Sequence, residues 1–504
     1  MKKLIMISAF MASMVSCTDL NVIPDSQLTD ESAYKEKTEF LNGLSGVDAT
    51  LGIWSEIVYK IGISADDMIA PARGADWKGD AQAVHLHTWT PDNGELSGIY
   101  TGISKIIAVS NSYIDIIDKS NFTTDKEVLL MRADARFIRA FAYFLMVDHF
   151  GNVPLVTNGT YDAQNPPKQN TRKELYDFVE SELIDLIDNC LPETSEYGRW
   201  NKYVAKTLLA KLYLNAEVFL GEGNAKWNEV ASLTSDIMRN SGYVLEDNFK
   251  DVFKWDNYTS KEIIFPMICE SQNTYPENIS YLFSLGDLRA KYGSFAQGWQ
   301  GTAALPSFIR SYDDNDVRLK AFLYGPQVGS DGEPIMQQDD KGVIRQLDYT
   351  IDFTSSDPVN NADHWDGARG VKYLMDGIGG TMVERGLNND MPILRYADVL
   401  MMRAEALFRL DPNDTEALDL VNQVRTRNGN NPVDKLSRLT AADLLAERGR
   451  EFAWEGWRRN DMIRFDVWRN AWDYKEQSED FRKLFPIPQV QMDSNPNLQQ
   501  NNGY

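Results

Sequence analysis

Leu208-Leu209-Ala210-Lys211-Leu212-Tyr213-Leu214-Asn215-Ala216 and Val399-Leu400-Met401-Met402-Arg403-Ala404-Glu405-Ala406 follow one rule. Both set small alanines where helices approach closely, with large apolar residues on either side. That is the logic of tetratricopeptide-like helix pairs, in which each hairpin buries its apolar face only by stacking on its neighbours. The repeats are degenerate and define no regular period. Three further segments support a helical chain. Glu127 to Phe150 carries apolar residues at 130, 133, 137, 141, 144 and 145 and is closed by Gly151. Thr171 with Glu174 precedes a stripe from Leu175 to Ile187 and reads as a capping box, as do Thr124 with Glu127 and Thr440 with Asp443. From about 241 to 390 the helical period fades and Gly, Asn, Asp and Pro accumulate, as in Gly325-Pro326 and Gly379-Gly380. This stretch is expected to be loops, short helices and a few strands laid over a helical scaffold of about 40–240 and 391–470. Binding residues usually sit on such loops.

The N-terminus reads as an export signal. Lys2-Lys3 is a charged start, and Leu4 to Val15 is an apolar run too short to span a bilayer. Met14-Val15-Ser16-Cys17 resembles the bacterial lipoprotein box, so residues 1–16 are expected to be removed and Cys17 acylated. Several acyl chains together make a stable anchor. Of the other cysteines, Cys190 ends a helical stretch and Cys269 follows an apolar strand-like run; both read as buried small hydrophobes rather than a disulfide.

The 504 residues carry a net charge of -23, and 11% of them are aromatic. Losing residues 1–16 takes away Lys2 and Lys3 and no acid, leaving 49 basic against 74 acidic residues. Such a surface repels phosphate backbones and disfavours polyanionic sugars, so nucleic acid is not an expected partner and a neutral ligand fits best.

Enzymatic motifs fare poorly. Glu451 and Glu455, four apart on one expected helix face, have the spacing of a paired-carboxylate glycosidase. Arg448, Arg450, Arg458 and Arg459 lie among them and would hold both acids ionised, where a general acid needs a raised pKa. A structural ion-pair network is the expectation. His85 and His87 flank Leu86 as two strand ligands could, but no third ligand follows at motif spacing, so zinc is not expected. Asp313-Asp314-Asn315-Asp316 lacks the glycine and terminal glutamate of an EF-hand and reads as a solvated acidic turn, which leaves calcium open.

Two loops are candidate binding elements. Ala70-Pro71-Ala72-Arg73-Gly74-Ala75-Asp76-Trp77-Lys78-Gly79 is polar, broken by Gly and Pro, and bears one large aromatic; Gly298-Trp299-Gln300-Gly301 is a second. An exposed indole offers a flat face to the C–H side of a sugar ring, while Arg73, Asp76 and Gln300 could bond its hydroxyls. Tyr275, Tyr281 and Tyr292 are weaker candidates, and Trp454, Trp457, Trp468 and Trp472, at helical spacing, are expected in the core.

Several strings resemble the RagB/SusD (SusD-like) family of outer-membrane nutrient-binding lipoproteins. They are Arg136 to Phe144 leading into Phe150-Gly151-Asn152-Val153-Pro154-Leu155, Leu394-Arg395-Tyr396-Ala397-Asp398-Val399, and Glu447 to Arg459 before Asp461-Met462-Ile463-Arg464. Leu484-Phe485-Pro486-Ile487-Pro488 and Asn495-Pro496-Asn497-Leu498 follow in family order, although the terminal Asn501-Asn502-Gly503-Tyr504 replaces the usual Asn-Pro-Gly-Tyr. The resemblance implies a mainly α fold, with tetratricopeptide-like hairpins in one compact unit over 17–504 and an irregular ligand-binding region. It also implies a non-catalytic, surface-exposed lipoprotein of the outer membrane. Such a protein captures an oligo- or polysaccharide and delivers it to a SusC-like TonB-dependent transporter. The Trp77 and Trp299 loops are similar to family loops that present an aromatic platform. A helical-repeat scaffold for a protein or peptide partner is the alternative, and a surface glycosidase a third reading.

Overall fold

The computed structural model describes residues 34–73, 77–160, 162, 164–270, 291, 301–374 and 388–504. Helices α1 (Lys37–Asp48), α2 (Asp80–Leu86), α3 (Gly94–Lys119), α4 (Lys126–His149), α5 (Arg172–Asp185), α6 (Lys202–Leu214) and α7 (Trp227–Asn240) form the first part. Helices α8 (Tyr396–Leu410), α9 (Thr415–Thr426), α10 (Ala441–Glu451) and α11 (Arg458–Arg464) form the second. From α3 to α10 each helix packs on the next, which is the stacking that the two alanine-bearing stretches lead one to expect. Those stretches lie in α6 and α8. Ala205 and Ala210 of α6 and Ala397, Ala404 and Ala406 of α8 are fully buried, and the two helices touch.

Between α7 and α8, which pack directly on one another, the chain leaves the stack for more than 150 residues. Ile263–Met267 pairs antiparallel with Met391–Arg395 and closes the base of this excursion. Its described parts are short 3₁₀ turns and two-stranded ribbons, such as Met336–Gln338 with Ile344–Gln346. The loop-rich region is thus an insertion between two consecutive members of a helical stack. One hydrophobic core runs from Phe40 to Leu498, and the insertion adds a small satellite of Ile335, Leu347, Tyr349 and Trp365.

Helix starts follow local chemistry. The boxes at Thr171–Glu174 and Thr440–Asp443 form as expected. The third does not: Asp125, not Thr124, caps α4 and accepts from the Glu127 and Val128 amides. A carboxylate one residue nearer the first turn competes better for those amides than a hydroxyl does. His85 and His87 end a helix instead of lining a strand. His87 takes a left-handed conformation at its C-terminus and stacks on Trp468 at 3.9 Å. Burial drives the His85 ring down to about 4, despite its bond to the Ile63 carbonyl, so it is a neutral core group. Both Cys190 and Cys269 are free. Cys269 is buried, but Cys190 is partly exposed and lies 3.5 Å from Arg136 Nη1, a polar setting rather than the apolar one expected.

Candidate functional site

The carboxylates that resemble a glycosidase pair are struts. Helix α10 stops at Glu451, so Glu455 lies beyond it rather than on a shared helix face, yet both acids converge on buried Arg395. Arg395 meets Glu451 at 2.7 Å, Glu455 at 2.8 Å and Glu262 at 2.7 Å. Arg318 binds Asp316, Glu447 and Glu451, and Arg427 binds Glu262 and Glu451. Burial opposes charge on Glu447, but Arg318 and Arg450 beside it outweigh that and hold the carboxyl at about 2. Glu451 is held still lower, by Arg427, Arg395 and Arg318 against the same burial. Neither can serve as a general acid. The network ties the insertion, through Asp316 and Arg318, to the last helices of the stack. Asp316 is therefore turned inward, and the 313–316 turn is not the fully solvated one expected. Among the described residues no group of three or more His, Cys, Asp or Glu side chains could hold a metal ion.

The two candidate loops come together. Ile69 and Ala303 exchange backbone hydrogen bonds at 2.9 Å, and Ala72 bonds both Pro358 and Ala362, so the 69–73 segment is laid between two pieces of the insertion. Beyond it stands Trp77, half-buried, with the unusual φ of +63°. Its edge rests on Tyr59 at a centroid separation of 5.3 Å. Its six-membered ring lies so near Gly301 that a Cβ there would fall 2.6 Å from Trp77 Cζ2. Glycine at 301 is thus required for the indole to lie where it does. A bulky residue at positive φ costs on the order of 1–3 kcal/mol and persists only where its surroundings hold it.

Arg73 does not reach the surface. It is 5% exposed, and its Nη2 donates to the Asp366 carbonyl at 2.8 Å. Arg369 donates to that carbonyl too, and the Asp366 carboxylate accepts from Thr354. Arg73 therefore braces the loop from beneath. Neither Asp366 nor Arg369 is legible in the sequence as part of this site, because they stand almost 300 residues away along the chain. Asp76, Trp299, Gln300, Tyr275, Tyr281 and Tyr292 lie outside the described residues, as does Cys17. Of the remaining tryptophans, Trp454, Trp457 and Trp468 are buried as expected, whereas Trp472 is only partly so.

A stack of α-hairpins, interrupted once by a long insertion that packs against a strained aromatic loop lying before α2, defines a helical-repeat protein with its candidate recognition elements where loop and insertion meet. The family model described as the SusD family matches residues 188–504, and another, described as "Starch-binding associating with outer membrane", matches residues 20–214. The chain belongs to the SusD family. It is 28% identical over 460 residues to the starch-binding protein SusD of Bacteroides thetaiotaomicron, covering 83% of this chain and 80% of that one. A laminarin-binding SusD-like protein superposes with a TM-score of 0.72 at 20% identity, over 94% of this chain and all of the other. Surface glycan-binding protein A of Bacteroides thetaiotaomicron, solved with laminarihexaose, gives 0.70 at 20% identity, over 92% of this chain and 99% of that one. These two likenesses are of fold.

Proposed function

We propose that this chain is a non-catalytic glycan-binding lipoprotein of the outer membrane. In this reading it captures a neutral oligo- or polysaccharide and passes it to a SusC-like TonB-dependent transporter. The observation that carries the reading is the partly exposed Trp77, held in a strained conformation over Gly301 in a member of a family whose relatives include starch- and laminarin-binding proteins. The acidic composition favours an uncharged ligand. The burial of Glu447, Glu451 and Glu455 in ion pairs argues against hydrolysis by the one carboxylate pair with suitable spacing.

In this reading Trp77 and Trp299 stack on sugar rings, with Tyr275 a further contact. Asp76 and Gln300 bond hydroxyls, and Arg73 acts as a positioning residue through Asp366. Residues 1–16 are the export signal, the mature unit runs from 17 to 504, and the acylated Cys17 tethers it to the membrane, facing outward. Calorimetry with a glycan that retards the protein in an affinity gel tests the site. Each of Trp77→Ala and Trp299→Ala should weaken binding roughly three- to tenfold or more. Unchanged affinity in both variants would remove the assignment.

A further inference from the structure

Trp472-Asp473-Tyr474-Lys475 makes a tight two-residue turn. The Trp472 amide donates to the Lys475 carbonyl and the Lys475 amide to the Trp472 carbonyl, each at 3.0 Å. Within it Tyr474 has a φ of +62° while Asp473 does not enter the left-handed region. The second central position of such a turn ordinarily takes Gly or Asn, because a side chain there is strained. The turn holds a tyrosine in that position by fixing its ends. Lys475 is buried beneath, donating from Nζ to the Asn470 and Glu476 carbonyls, and lies 3.9 Å from the centre of the Trp472 ring. Trp472 in turn meets His87 edge-on at 5.3 Å.

The consequence is an aromatic ring set out from a rigid base. Tyr474 is partly exposed: it meets the Phe353 ring at 5.6 Å and 80°, and its hydroxyl bonds the Phe353 backbone. Around it are hydrogen-bonding groups. Arg310 and Asp352, both exposed, form an ion pair, and the Asp473 carboxylate accepts from the Ser307 amide at 2.7 Å. A line of buried contacts links the base of Tyr474 to the Trp77 loop. A Cβ at Gly367 would touch both Phe353 and Ala303, Ala303 is two residues from Gly301, and Gly301 lies under Trp77. Both are partly exposed aromatics at φ near +60°.

The geometry points to Tyr474 as a second aromatic platform, with Asp352 and Arg310 as its polar partners. Together with Trp77 it would make a binding face suited to an extended neutral glycan rather than a single sugar. This inference rests on the glycan-binding reading. A strained aromatic where glycine would adopt the same backbone without strain is a motive for function.

The test uses the full mature chain. Affinity gels containing neutral polysaccharides, starch and laminarin among them, identify the glycan that retards the wild type. Calorimetry then compares the hexasaccharide and trisaccharide of that glycan. Tyr474→Ala should weaken hexasaccharide binding roughly three- to tenfold and leave the trisaccharide unchanged, while Trp77→Ala weakens both. Tyr474→Phe should keep hexasaccharide affinity near wild type. Tyr474→Gly should lose it with a melting temperature unchanged or raised. Equal hexasaccharide affinity in the wild type and Tyr474→Ala would overturn the inference and leave the Trp77 site standing. So would a melting temperature that falls in Tyr474→Gly, which would make the ring structural. A wild type retarded in none of the gels would overturn the glycan-binding reading and this inference with it.

Discussion

Trp454 and Trp77 begin the same local sentence, Trp454-Glu455-Gly456 and Trp77-Lys78-Gly79. In both, the tryptophan takes positive φ, +58° and +63°, and so does the glycine two residues on, +86° and +76°. Both indoles also lie across a distant glycine: Gly370 would bring a Cβ 1.7 Å from Trp454 Cζ3, and Gly301 one 2.6 Å from Trp77 Cζ2. Yet Trp454 is 4% exposed, with its Nε1 donating to the Asp67 carbonyl at 3.0 Å, while Trp77 packs on the core but stays partly exposed. The one turn is closed in by Phe322 and Gly370 of the insertion and by Asp67; the other packs on Tyr59 and Gly301 at the insertion's edge. A glycine-flanked tryptophan is therefore a sign of a strained, well-held indole, and says nothing of whether the indole faces in or out.

That contrast can be broken most directly by truncation. Trp454→Ala should cost about 3–5 kcal/mol in chemical denaturation, as for a large aromatic removed from a packed core. Trp77→Ala should cost about 1–2 kcal/mol, its ring being partly exposed already. Equal losses would mean the two indoles do the same work.

Acid acts on both sides, on the ionic layer near Trp454 through Glu447 and on the helix that follows the Trp77 turn through His85. Glu447, whose carboxyl is held at about 2 against an ordinary 4.5, contributes stability that is present above 4.5 and is lost as the pH falls through 2. His85, depressed to about 4 from 6.5, contributes above 6.5 and is lost as the pH falls through 4. The melting temperature should fall gently from pH 6.5 to 4.5 and steeply below. A flat profile over that range would show that neither group is coupled to folding.

The glycines sharpen the comparison with a smaller change. Gly370→Ala should destabilise by about 1–3 kcal/mol, because the Trp454 ring has nowhere to go. Gly301→Ala displaces an indole that can move into solvent, so stability should change little and glycan affinity should fall several-fold. Melting curves and calorimetry on the two variants distinguish these outcomes.

Helical order is largely legible in the sequence. The alanine pattern in α6 and α8, the boxes at Thr171 and Thr440 and the stripe of α4 are local signals, set by contacts within a few turns. The ion-pair reading of Glu451 and Glu455 is legible too, since the arginines that neutralise charge there are interleaved with the acids. What escapes is whatever depends on partners far along the chain. Arg73 reads as a ligand contact until Asp366 is placed beneath it, and Tyr474 reads as nothing until its turn is closed and Phe353 set beside it. The His85–His87 spacing suggests a strand because a two-residue step has that meaning only if the backbone is extended.

By itself, then, the amino-acid order determined the stack of hairpins and the family, because periodicity and capping act over short distances. Only the tertiary structure decided that the loop-rich segment is an excursion between two neighbouring helices, and which of two tryptophans in Trp-X-Gly turns is buried and which partly exposed. Exposure is a property of what covers a residue, and here the covering pieces come from hundreds of residues away.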